Sequence, residues 1–101
     1  MLRTEKQRKE LCKHCPIAKV ADIIGDPCSL LILRDLLEEP RRFGELDEAL
    51  GMSTRTLTKT LRRLEKCGFI ARKKLEYSLT SKGRGLKKVI GEMRTYGKRY
   101  L

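Results

Sequence analysis

Two amphipathic segments joined by a glycine turn constrain this chain more than any other feature. Phe43, Leu46, Ala49 and Leu50 give the first segment an apolar stripe, and Gly51 stops it. Leu57, Leu61 and Leu64, spaced by four and three, give the second a single buried face, and Gly68 ends it. Ser53 stands where its hydroxyl can accept a hydrogen bond from an orphan backbone N–H of the second helix. Helix, tight glycine-containing turn, helix over residues 44–67 is the helix-turn-helix pattern.

The rest of the chain reads as support for that pair. Cys28 to Leu37 is apolar nearly all round and predicts a central buried helix. Asp26-Pro27 opens it as an N-cap followed by proline at the first helical position, and Pro40 ends it. Ile17, Val20, Ala21 and Ile24 predict a short amphipathic helix running to Gly25. Residues 2–12 carry apolar side chains only at Leu2 and Leu11 and predict a largely polar helix. Arg41-Arg42-Phe43 is short enough for only an edge strand or a turn. Phe69–Lys73 and Glu76–Leu79 predict a hairpin, the wing, within residues 69–80. Thr80 or Ser81 then caps a final helix, with Leu86, Val89, Ile90, Met93, Tyr96 and Tyr100 along one side. The fold class is mainly α with a small β-hairpin: a winged helix-turn-helix, residues 1–101 forming one domain. At 40% apolar residues the chain can fill one modest core. The final stripe exceeds what that core needs, so Leu86, Val89, Ile90, Met93, Tyr96 and Tyr100 are expected at a homodimer interface, together with Leu2 and Leu11. The segments 1–14 and 81–101 would then be dimerisation helices.

Charge indicates the partner. Lys and Arg number 24 against 13 Asp and Glu, a net +11, which favours a polyanion. The excess is local. Arg41, Arg42, Arg55, Lys59, Arg62, Arg63, Lys66, Arg72, Lys73 and Lys74 meet only Glu45, Asp47, Glu48 and Glu65, whereas residues 22–39 are acidic. With the leucines inward, Thr54, Arg55, Thr58, Lys59 and Arg62 point outward on the second helix, without an acid among them. In this motif the second helix enters the major groove of double-stranded DNA. These five are the candidates for base edges, since arginine's fork matches guanine O6 and N7, and threonine offers a hydroxyl and a methyl. Arg41, Arg42, Ser53, Thr56, Arg72, Lys73 and Lys74 are candidates for phosphate contacts, which add salt-dependent affinity without specificity.

Along most of its length the chain resembles the HxlR-type winged-helix transcriptional regulators, relatives of the MarR group. The resemblance is carried by Cys15-Pro16-Ile17, Asp22–Gly25, Leu30–Leu36, Pro40–Leu46, Ser53–Thr58 with Leu61-Arg62 and Leu64-Glu65, Gly68-Phe69-Ile70, Glu76–Thr80 and Gly83. It implies a dimeric repressor or activator whose terminal helices form the dimer. It also implies a redox-sensing position at Cys15. Two features depart from the family pattern. Asp26-Pro27-Cys28 stands where a tryptophan usually opens the central helix, and only a couple of residues separate the wing strands. The expectation is a sequence-specific regulator binding a palindromic operator as a homodimer. The alternative is a non-specific, architectural nucleic-acid-binding protein, which the charge on both terminal segments also suits.

The four cysteines leave several readings open. Cys12-Lys13-His14-Cys15 is a C-x-x-C, so Cys12 and Cys15 are redox candidates and weak metal candidates. No second close pair completes a zinc site, and no metal or other cofactor is expected. Cys28 and Cys67 read as core cysteines. With one histidine, no glycine-rich phosphate loop and no paired carboxylates, an enzyme is not expected. No apolar run approaches the ~18 residues of a membrane span, and the first ten residues lack the apolar core of a signal peptide, so the expected location is the cytoplasm, with no membrane partner.

Overall fold

The structure, a computed structural model, describes residues 15–101. The helix expected over residues 2–12, with Leu2, Leu11 and Cys12, lies outside them. The described elements run α1 (Pro16–Ile24), α2 (Pro27–Glu38), β1 (Arg41–Arg42), α3 (Phe43–Leu50), α4 (Thr54–Lys66), β2 (Ile70–Lys73), β3 (Glu76–Leu79), α5 (Ser81–Arg84) and α6 (Lys87–Tyr100).

The turn and cap chemistry follows the sequence. Asp26 caps α2, its carboxylate accepting from the Ser29 backbone N–H at 2.9 Å, with Pro27 in the first turn. Gly51 ends α3 in the left-handed conformation at φ +64, a backbone state that favours glycine. Ser53 caps α4 by accepting from the Thr56 N–H at 3.1 Å. The three strands form an antiparallel sheet of order β1-β3-β2, with Arg41 opposite Tyr77 and Ile70 opposite Leu79. The Arg41–Arg42 segment is thus the edge strand that its length allowed.

The central helix α2 packs against α1, α3, α4 and β3. Ile32 and Leu33 of α2, Leu46 of α3, and Leu57, Leu61 and Leu64 of α4 are all buried. These side chains lock the two helices of the helix-turn-helix to the scaffold, so the polar side of α4 is left facing outward.

Three expectations change. The final helix is two: Thr80 accepts from the Gly83 N–H at 3.2 Å and caps the single turn α5, and the chain breaks at Gly85 before α6 begins. Gly83 is buried where a Cβ would collide with the Phe69 carbonyl oxygen, so the close approach of this turn to the β2 end requires glycine. Second, Leu86 and Ile90 are buried in the chain's own core and cannot serve a dimer interface. The break turns the start of α6 inward, so the stripe is divided into a buried part and an exposed part. Third, only Ile24 of the α1 stripe is buried. Ile17 is 80% exposed and Val20 38%.

Candidate nucleic-acid interface

The α4 leucine seam decides which side chains face out. Thr54 and Arg55, then Thr58 and Lys59, then Arg62 follow one another at steps of about one helical turn and line one shallow concavity. The structure thus brings together the five side chains expected at base edges. Arg55, Lys59 and Arg62 are exposed, and no ion pair among the described residues involves them. Thr60, between the two faces, is buried and returns its hydroxyl to the Thr56 carbonyl at 2.8 Å.

The phosphate candidates differ from one another. Ser53 and Thr56 hold each other at the start of α4, the Ser53 hydroxyl donating to Thr56 Oγ1 at 2.9 Å. Arg41 is engaged by Glu39 at 3.0 Å and Glu38 at 3.3 Å, while Arg42 is exposed. On the wing, Arg72, Lys73 and Lys74 are all exposed. Lys74 sits at φ +58, a left-handed position that costs a non-glycine residue some strain, and Arg72 Nε donates to its carbonyl at 3.2 Å. Leu75 projects from the same two-residue turn, 61% exposed, a feature that the charged run around it hid at the level of sequence.

Arg63 leaves the positive surface to which its charge assigned it. Its guanidinium donates to the Asp22 carbonyl at 3.3 Å, the Ile23 carbonyl at 3.2 Å and the Asp26 carboxylate at 3.0 Å, and it contacts the Ser29 hydroxyl. Arg63 follows buried Thr60 by three positions, on the flank of α4 that faces the protein, a placement that its charge alone did not reveal.

On α6, Val89, Met93, Tyr96 and Tyr100 remain exposed, the two tyrosine rings 4.8 Å apart. Cys15 stands at the N-cap position of α1, half-buried and free. Cys28 and Cys67 are half-buried rather than core residues, with Cys67 packed against the core from outside. Among the described residues no group of His, Cys, Asp and Glu is arranged to hold a metal ion, and no helix is long and apolar enough to cross a membrane.

Comparison with known proteins gives consistent similarities. The model of the HxlR-like helix-turn-helix family matches residues 23–101. An HTH-type transcriptional regulator of Synechocystis, sll1512, is 42% identical over 95 residues, covering 86% of this chain and 70% of its own length. Quinone-bound YodB from Bacillus subtilis superposes with a TM-score of 0.79 at 29% identity, covering 85% of this chain and 99% of its own. The redox regulator HypR in its oxidised form superposes with a TM-score of 0.78 at 29% identity, covering 86% of this chain and 98% of its own.

Proposed function

Because the chain belongs to the HxlR-like helix-turn-helix family, we propose that it is a transcriptional regulator that binds a palindromic site in double-stranded DNA as a homodimer. The observation that carries this reading is the outward side of α4, where Thr54, Arg55, Thr58, Lys59 and Arg62 share one concavity free of acids. Arg55 is the base-reading residue, and Arg42, Arg72, Lys73 and Lys74 contact phosphates. Exposed Val89, Met93, Tyr96 and Tyr100 supply the apolar surface for a partner copy. Two-fold symmetry then sets two α4 helices about one DNA turn, ~34 Å, apart.

The roles of Arg55 and Lys73 separate in binding assays. Arg55→Ala should cost about 1–3 kcal/mol on the selected site and relax preference at one base pair. Lys73→Ala should weaken all duplexes alike and lower the slope of log K against log salt by about one unit. An Arg55→Ala protein that behaves like Lys73→Ala removes direct readout by Arg55.

The regulator is responsive to thiol oxidation in this reading. Supporting it are a free Cys15 at the N-terminal edge of α1, Cys12 three residues before it, and the similarity to HypR, a redox regulator. Peroxide treatment should lower operator affinity, dithiothreitol should restore it, and Cys12→Ser with Cys15→Ser should abolish the response. Unchanged affinity after peroxide contradicts a thiol switch.

A further inference from the structure

Arg63 belongs to the same helix as the proposed base-reading residues, yet the hydrogen bonds of its guanidinium go to the junction of α1 and α2. Two go to the carbonyls of Asp22 and Ile23, in the last turn of α1. The others go to Asp26 and Ser29, the capping pair that starts α2. Ser29 is itself fully buried and donates to Asp26 Oδ2 at 2.8 Å. One planar side chain therefore ties three helix segments at a single point. A guanidinium suits this task because its five donors form a rigid fork, whereas an ammonium on a flexible stem cannot span four acceptors.

Its placement matters because of what α1 presents to solvent. Ile17 and Val20 are exposed there, and Cys15 precedes them at the N-cap. The dimer proposed above places this apolar face, uncovered among the described residues, within the surface that the partner copy covers. We infer that Arg63 is a positioning residue: it latches α4 to the α1–α2 junction and so fixes where each base-reading helix stands relative to the dimer axis. Arg63 touches no base. It determines which spacing of half-sites the dimer accepts, by making α1 and α4 move as one body. This inference rests on the dimeric DNA-binding reading.

The experiment uses the full chain and duplexes built from the half-site that the wild-type protein enriches from a random pool. Half-site spacing is stepped one base pair at a time around ~10 base pairs. The wild type should favour one spacing by about tenfold or more over spacings two base pairs away, since that change turns the second half-site by roughly 70° around the duplex. Arg63→Met, which keeps the stem and removes the fork, should flatten the profile to within about threefold while affinity for a single half-site holds, because it leaves the base-reading face intact. Arg63→Lys should rescue the profile only in part. Asp26→Asn, which keeps the capping oxygen and removes the ion pair, should broaden it in the same direction, and it decides the matter if Arg63→Met fails to fold. A spacing profile that stays sharp in folded variants of lower melting temperature overturns the inference and leaves Arg63 as a stability residue alone. A wild-type protein that enriches no paired half-sites overturns the dimeric reading, and this inference with it.

Discussion

Leu61→Ala is expected to lower the folding free energy by about 2–5 kcal/mol, the range for removing a buried leucine side chain and leaving a cavity. Leu61 is 1% exposed and lies in the middle of the α4 seam, between Leu57 and Leu64. Total stabilities of about 5–15 kcal/mol make such a loss a large fraction of what the fold has. Urea denaturation measures it as a lower midpoint at an unchanged slope. The neighbouring Arg62→Ala should change stability by no more than about 0.5 kcal/mol, because its side chain is on the solvent side. Equal effects at the two positions would contradict the division of α4 into a buried seam and an outward face.

The second large effect concerns assembly. Met93→Glu combined with Tyr96→Glu puts like charges on the exposed stripe of α6, where two copies would meet. Both side chains are exposed in the single chain, 44% and 59%, so its own fold should hold. Light scattering should fall from twice the 11.7 kDa chain mass to that mass. Affinity for the paired site should drop by about 10²–10⁴-fold, the gain that linking two binding modules gives, while affinity for a single half-site is unchanged. A wild-type protein already at the single-chain mass, or a variant that stays dimeric, contradicts the assignment of this stripe to the dimer.

Periodicity and caps made much of the fold legible. Leucines at 57, 61 and 64 admit one inward face, and that face determines which of Thr54, Arg55, Thr58, Lys59 and Arg62 are outward. Asp26-Pro27 and Gly51 marked a helix start and a helix stop by mechanisms that act within a few residues. Effects that depend on distant parts of the chain were not legible in this way. The period of the final helix continues through Leu86 and Ile90. Their burial is decided by the break at Gly85, and the close approach of Gly83 to the Phe69 carbonyl holds that turn in place. The α1 stripe has a helical period too, yet Ile17 and Val20 find no cover within the described residues. Arg63 is the plainest case. Its charge grouped it with the DNA-facing cations, while its acceptors lie 34 to 41 positions earlier in sequence, where no local pattern points to them.

Sequence-specific binding separates a regulator from a protein that merely coats nucleic acid. A competition assay at fixed salt sets the duplex selected from a random pool against a scrambled duplex of equal length and composition. A regulator that reads base edges through Arg55 and its neighbours should prefer the selected site by about 10³-fold or more. Near-equal affinity for the two duplexes, with steep salt dependence for both, would contradict it and identify instead a basic protein that coats nucleic acid without reading it.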